Sequence, residues 1–595
     1  MTYLEEKLIE INSDEYQKEA LDSRKSTVVI AGPGSGKTSV LTLKVMQLLD
    51  GYINEPYGLA CITYSRETAR EFEEKLERMG FVSRRNVFLG TVHSFCLSTI
   101  IEPFSNVFDL ELPKDYRIAS NAEIERILKE TNNTTGIDAS QADISRERML
   151  GVDGVSKIKY SSNSNLRKAA NCYESKLFAK GLIDFDSIII ASVKAIQKYS
   201  YIRECLNSRF SWLLIDEYQD LGHPLHEMVL SLFENTTIKI FAVGDVDQSI
   251  YSFSGAKPDY LQELSELNGI KVIHLVNNYR SNQDIIDGSE LVLNKIRKYV
   301  AKTRDGEEAR YEFYSLTNGY EEQFDFVASQ LIPKYREEKI PYDEIAVLVA
   351  NNKQCKDLSL VMQKYKIPYY ISKHNFEITD FVKWLGNCAM YVSGVSNSLS
   401  KIFEFWLSLD FVTPFMVNDD AIIIQKKRVI NVLNNSRMFS NCLPKWLAYV
   451  VKEFGLDKSL DNSLRYPDEL KNLRILYKEL NSESYKTYDL SMFGKIGKPK
   501  GQVSISTRHS SKGLEFEAVI LCGMEEGHFP AWYNRNDEEK RNEEDRLCFV
   551  CVSRAKRICS LIYSTNYVEG KNPTLRIYGP SKYYRCLFNE YGKKE

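Results

Sequence analysis

The most specific chemistry in the chain lies in one run, Ala31-Gly32-Pro33-Gly34-Ser35-Gly36-Lys37-Thr38, with Ser39 following. Glycines at this density let backbone N–H groups turn inward around phosphate oxygens, and a helix starting at the lysine adds its positive end. In that geometry Lys37 reaches the β- and γ-phosphates of a nucleoside triphosphate, and the Thr38 hydroxyl ligates Mg²⁺. The run departs from G-x-x-x-x-G-K-T only at its first position, where Ala31 stands. A phosphate cradle of this kind needs a carboxylate at the end of a neighbouring strand. The apolar run Trp212–Ile215, followed by Asp216-Glu217-Tyr218-Gln219-Asp220, supplies it. Asp216 emerges where ligands bind in open α/β sheets and would hold Mg²⁺ through water. Glu217 is placed to take a proton from the attacking water.

Elements must exist to position these groups. Short β-rich runs at Thr27–Ile30, Leu59–Thr63 and Val87–Leu89 each precede an amphipathic stretch, the order that makes a parallel α/β sheet. The pattern lapses over 101–183 into polar, mostly helical sequence and resumes at Trp212–Ile215, Ile238–Val243 and Val272–Leu275. A second set follows at Ile345–Val349, Val503–Ser506, Ala518–Leu521 and Ile558–Tyr563, interrupted by helical texture over 380–499. The expected fold is therefore α/β, with two parallel-sheet domains, each carrying a mainly helical insertion. The first is expected over 1–100 and 184–278 with its insertion at 101–183, and the second over 279–379 and 500–595 with its insertion at 380–499.

Composition narrows the function classes. The 595 residues are 43% hydrophobic and 27% charged, which excludes wholesale disorder. A net charge of −3 excludes a uniformly basic nucleic-acid coat, so any polyanion must meet a local groove. No uncharged apolar run reaches the ~18 residues that span a bilayer, and the acidic N-terminus MTYLEEKLIEI lacks a signal-peptide layout; a cytoplasmic protein is expected, without a membrane partner. The 12 cysteines show no disulfide framework. Cys548 and Cys551 read as apolar-face residues of a helix with Leu547, Phe549 and Val550, His223 and His226 as loop residues, and Asp537–Lys540 as a solvated loop.

The motifs, taken in order, resemble the superfamily 1A DNA helicases of the UvrD/Rep/PcrA type almost from end to end, more weakly in the two insertions. DEYQD resembles motif II; ITYSRETAREF (62–72) and GTVHSFC (90–96) resemble motifs Ia and Ib; VGDVDQSIYSFSGA (243–256) is similar to motif III. NNYRS (277–281), STRHSSKGLEF (506–516) and EEDRLCFVCVSRAK (543–556) resemble motifs IV, V and VI. A metabolic P-loop kinase would explain none of the motifs from III onward.

This resemblance implies two RecA-like P-loop NTPase domains sharing one nucleotide, with ATP and Mg²⁺ as cofactors. Gln17 would read the adenine edge, Tyr279 would stack on adenine, Glu515 would bond the ribose, and Gln248 would sense the γ-phosphate. Arg280 and Arg554 match the family's two arginine fingers, expected from the second sheet domain; a planar, always-charged fork suits charge developing on a γ-phosphate. By motif position Tyr64, Thr91, His93, Tyr251, Phe253, Thr507 and His509 would line a single-stranded DNA track of aromatic platforms and phosphate donors. The family usually has arginine at Ser254 and commonly at Ser39, and its accessory insertion is longer than 380–499. The implied activity is an ATP-driven 3′–5′ translocase and helicase acting on single-stranded and 3′-tailed duplex DNA, with a nuclease or repair protein as a possible partner. The compact build also resembles, in outline, the helicase-like component of Gabija-type antiviral defence systems, which implies instead an ATP- and DNA-sensing subunit that regulates a partner nuclease.

Overall fold

The computed structural model describes residues 3–592 apart from 54, 64–65, 83, 85, 159–161, 253–254, 372–373, 410–418, 462–467, 483–484, 486–487, 497–499 and 570–573. The chain forms two compact units, Met1–Arg310 with Pro530–Arg557 and Arg585–Tyr591, and Tyr311–Phe529 with Ile558–Tyr584 and Gly592–Glu595.

In the first unit, strands β1 (Thr27–Ala31), β2 (Gly58–Thr63), β3 (Val87–Thr91), β4 (Phe210–Ile215), β5 (Lys239–Gly244) and β6 (Lys271–Leu275) form one sheet in the order β3-β2-β4-β5-β1-β6. All its pairings are parallel. Central β1 pairs with β5 on one edge and β6 on the other, and its alternate side chains enter two different cores, Val28 one and Val29 with Ala31 the other, so it reads as a continuous apolar run. Parallel strands bring their carboxyl ends to one edge. Ala31, Ile215 and Gly244 end β1, β4 and β5 there, and the loops that follow carry the phosphate-binding run, Asp216 and Asp245. Five helices matter for that edge: α1 (Glu15–Asp22), α2 (Lys37–Gly51), α3 (His223–Asn235), α4 (Gln283–Leu293) and α5 (Glu538–Val552). Between β3 and β4, helices Asn121–Thr135, Gln141–Met149 and Ser164–Ala179 build a small core on Ile127, Ala169, Tyr173 and Leu177. Arg148 fastens it to the sheet unit, bonding Asp184 at 2.7 Å and Glu174 at 3.1 Å.

The second unit holds β7 (Arg310–Asn318), β8 (Ile345–Val349), β9 (Tyr369–Ile371), β10 (Val503–Thr507), β11 (Phe516–Leu521), β12 (Ala555–Glu569) and β13 (Thr574–Ile577). Their order is β7-β12-β11-β8-β10-β9, with β13 antiparallel on β12. Between β9 and β10 the described residues are mainly helical and pack their own core on Trp384, Trp406 and Trp446. No described helix is long and apolar enough to cross a membrane.

Several sequence expectations change. β7, β9 and β13 have no counterpart in the apolar-run reading, because β7 is largely polar, β9 is three residues long and β13 is exposed along its length. His223 and His226 lie on α3 rather than in a loop: Gly222 caps the helix and Pro224 falls in its first turn, where a missing N–H costs nothing. Asp537 is not loop but the N-cap of α5, its carboxylate accepting from the Lys540 N–H, with Glu538 and Glu539 in the first turn where a helix favours negative charge. Cys548 and Cys551 are buried on α5 alongside Leu547, Phe549 and Val550.

Candidate active site

The run after β1 makes a tight cradle. Gly34 and Gly36 adopt φ of +71° and +81°, a region that side chains with a Cβ disfavour. A Cβ on Gly34 would lie 2.5 Å from Asn278 Oδ1 and 2.7 Å from the Arg280 Cβ, and one on Gly36 would lie 2.6 Å from Gln17 Nε2. Gly36 caps α2 without any side-chain hydrogen bond, so the first N–H groups of the helix face the loop and suit an anion. The Lys37 ammonium is buried without a hydrogen bond; its nearest carboxylate oxygen is Glu217 Oε1 at 3.6 Å. A desolvated cation with no bonding partner is costly, and triphosphate oxygens are groups that would satisfy it. The residues present therefore fit a nucleotide's phosphates. Replacing Gly34 with alanine is expected to weaken binding of a fluorescent ATP analogue at least about tenfold and to cost about 1–3 kcal/mol in melts, through both clash and backbone strain.

Motif II closes the other side. Asp216 donates its N–H to the Ile62 carbonyl at 3.1 Å, holding the end of β4 against β2, and the side chain is buried. Burial, and next the neighbouring Glu217 charge, push the Asp216 carboxyl up to about 7, with the Lys37 charge opposing. Because this lies above the ordinary 3.8, the folded protein holds an extra proton across that window and loses stability as pH rises through it. In chelator-treated protein Asp216→Asn is expected to raise the melting temperature at pH 8, on the order of 5 °C, and to change it little at pH 4.

Glu217 stands at φ +50°, ψ +48°, a left-handed conformation unusual outside glycine and asparagine. Its carboxylate is held by Gln219 Nε2 at 2.5 Å. Gln219 in turn accepts from the Asp245 N–H at 2.9 Å, tying motif II to the end of β5. Behind it, Tyr218 donates to His226 Nδ1 at 2.8 Å, and His226 Nε2 donates to Glu263 at 3.0 Å. Burial holds His226 down to about 4, which keeps the ring neutral in this relay.

Gln248 is oriented by Asp245, whose Oδ2 accepts from its amide at 2.7 Å. The same carboxylate takes a guanidinium fork from Arg297 at 2.6 and 3.1 Å. Burial alone would raise the Asp245 carboxyl, but the charges of Arg297 and Lys37 and these hydrogen bonds hold it low. Arg297 stands outside every motif read from the sequence, in the run IRKYV, and only the fold brings it to Asp245. Tyr299 backs the cradle, since a Cβ on Gly32 would lie 2.6 Å from its ring.

A second cluster stands beside the loop. Asp14 caps α1 and accepts from the Gln17 N–H, while Gln17 Nε2 donates to the Ser35 carbonyl at 2.8 Å. Asp14 also accepts from the Tyr279 hydroxyl at 2.5 Å and Asn277 Nδ2 at 3.0 Å. The Tyr279 N–H donates to the Gly34 carbonyl at 2.8 Å, and Asn278 Nδ2 to the Pro33 carbonyl at 2.9 Å. Gln17 and Tyr279 thus share one anchor, and Tyr279 remains 37% exposed, leaving ring surface for a base.

Arg280 Nη1 donates to the Ser553 carbonyl at 3.3 Å, and Arg554, the next residue, is buried with Nε on the Val550 carbonyl at 2.9 Å and Nη2 on Ser553 Oγ at 3.1 Å. Both arginines belong to the first compact unit together with Lys37. This differs from a division of the chain at 278: residues 279–310 and 530–557 belong to the first unit, held there by bonds such as the Tyr279 N–H on the Gly34 carbonyl at 2.8 Å and Arg546 Nε on the Ser249 carbonyl at 2.6 Å.

Of the expected DNA residues, Tyr64 and Phe253 lie outside the described residues, as does Ser254. In the first unit Thr91 caps a short helix by accepting from the Ser94 N–H, His93 packs edge-on against Phe185 at 5.3 Å, and Tyr251 is half-buried. Thr507, His509 and the exposed Glu515 belong to the second unit, where Thr507 Oγ1 donates to Ser510 Oγ at 2.9 Å. Buried Arg508 fixes that turn by donating to the Cys522 and Gly523 carbonyls at 2.8 and 2.9 Å, with its guanidinium 4.0 Å over the Phe529 ring.

Comparison with known proteins bears on the whole arrangement. The family model described as UvrD/REP helicase N-terminal domain matches residues 13–268, and that described as UvrD-like helicase C-terminal domain matches 273–383 and 466–566. The ATP-dependent DNA helicase PcrA of Staphylococcus epidermidis is 25% identical over 619 aligned positions, covering 93% of this chain and 83% of the relative. The ATP-dependent DNA helicase PcrA of Staphylococcus aureus is 24% identical over 620, covering 92% and 83%. With a P-loop, a DEYQD turn and motifs III to VI arranged on two parallel-sheet units, the chain belongs to the UvrD/Rep/PcrA family of superfamily 1 helicases.

Proposed function

We propose that the chain is an ATP-dependent DNA helicase and translocase that moves 3′ to 5′ on single-stranded DNA. The observation that carries the ATPase reading is the Lys37 ammonium, buried without a hydrogen bond at the start of a helix that no side chain caps, and 3.6 Å from the strained Glu217. In this reading Lys37 and the N–H groups of Gly32 and of residues 34–39 bind the β- and γ-phosphates. Gln17 reads the adenine edge, Tyr279 stacks on its face, and Glu515 bonds the ribose. Glu217 orients a water and takes its proton. Gln248 senses the γ-phosphate, and Arg280 with Arg554 neutralises charge as the phosphoryl group leaves. Thr38 and Asp216 would hold Mg²⁺, which offsets charge on the phosphate oxygens when bound. Tyr64, Thr91, His93, Tyr251, Phe253, Thr507 and His509 grip the strand by stacking and by donors to phosphate.

The DNA part is supported by the relatives named as DNA helicases and by the motif positions of those residues. Strand displacement on duplexes with a 3′ or a 5′ tail, with RNA as a control, tests it. Unwinding from the 3′ tail alone is the expected result; unwinding from the 5′ tail refutes the polarity. DNA-stimulated ATPase without unwinding would point instead to a sensing subunit that regulates a partner nuclease.

A further inference from the structure

Residues 249–251 lie outside any helix or strand, yet α5 takes hold of the segment at two places. The Glu543 carboxylate accepts from the Ser252 N–H at 2.9 Å and also from the Ser252 hydroxyl. One turn along the helix, Arg546 Nε donates to the Ser249 carbonyl at 2.6 Å. Hydrogen bonds to ionised groups are the stronger kind, and here they join residues distant in sequence. The segment they hold follows Gln248, the proposed phosphate sensor, and contains Tyr251, proposed to touch the strand.

The same helix reaches the phosphate end. Leu547–Val552 are all buried, which packs the carboxyl-terminal half of α5 closely into its surroundings, and Glu543 and Arg546 precede that half on the same helix. Ser553, its C-cap, accepts from Arg280, and Arg554 follows directly. At 1.5 Å per residue the helix carries the Glu543 contact about 16 Å from Arg554.

We propose that Glu543, seconded by Arg546, is a positioning residue that locks the DNA-facing part of motif III to the helix bearing Arg554, so that nucleotide binding and single-strand binding are coupled through one rigid element. The inference rests on the DNA-dependent ATPase reading given above. Coupling of this kind is a ratio of affinities and is reciprocal.

The test measures the Kd of a non-hydrolysable ATP analogue for the full chain, with and without saturating oligodeoxythymidylate. In the wild type the oligonucleotide is expected to change that Kd by a factor in the range of about 5–150. In Glu543→Ala the ratio is expected to fall close to one, while the analogue's Kd without DNA and the melting temperature stay near wild type. Glu543→Gln keeps one acceptor and is expected to restore part of the ratio, which a purely structural role does not predict. Ser252→Ala removes one donor and leaves α5 untouched; it is expected to reduce the ratio, and it decides the matter if Glu543→Ala fails to fold. A wild-type ratio preserved in Glu543→Ala, or lost together with DNA-free analogue binding, overturns the inference. Wild-type protein that binds no oligodeoxythymidylate removes the underlying reading as well, a failure distinguished by that control.

Discussion

Glu217→Gln is expected to lower kcat for ATP hydrolysis about 10³-fold while leaving nucleotide affinity near wild type. The substitution is nearly isosteric, and glutamine tolerates the φ of +50° no worse than glutamate does, so the turn persists. What disappears is a carboxylate able to accept a proton from water. Affinity should not suffer, because Lys37 also loses its 3.6 Å contact to Glu217 and is freed for phosphate. Single-turnover hydrolysis beside equilibrium binding of an ATP analogue separates the two effects. Hydrolysis within tenfold of wild type would remove Glu217 from the role of base.

Arg554→Ala has the other large expected effect, a loss of about 10³-fold or more in hydrolysis with ATP binding retained within a few fold. Arg554 is buried and its Nε and Nη2 are bonded to Val550 and Ser553 of its own helix end, so alanine also costs about 1 kcal/mol of stability. A melt controls for that. Arg554→Lys keeps the charge and loses the fork; if it fails to restore turnover, shape as well as charge matters. Near-normal turnover in Arg554→Ala would leave Arg280 as the sole candidate for stabilising the leaving phosphoryl group.

The parts legible in the sequence are those where one local cause decides. Apolar runs such as Val28–Ile30 and Leu213–Ile215 have to be buried strands, and the glycines at 34 and 36 require a turn with positive φ, so the cradle and Asp216 at the end of β4 could be read directly. Long-range pairing could not. Arg297 reaches Asp245, and Arg508 reaches the carbonyls of 522 and 523, through folds that bring distant segments together; each reads locally as one more charged residue. The place of 279–310 and 530–557 in the first unit is hidden for the same reason, because contacts such as Tyr279 to Gly34 and Arg546 to Ser249 span hundreds of residues. His223 and His226 misled because proline next to histidine suggests a loop, whereas proline in a first helical turn favours a helix.

The central claim is that the Lys37 ammonium, buried without a hydrogen bond, marks an ATP site whose turnover is driven by single-stranded DNA. Steady-state ATPase of wild type and Lys37→Ala, each with and without oligodeoxythymidylate, tests it most directly. Hydrolysis that rises with the oligonucleotide in wild type and is abolished in Lys37→Ala is the predicted result. Hydrolysis indifferent to the oligonucleotide, or unimpaired without the Lys37 ammonium, would contradict it.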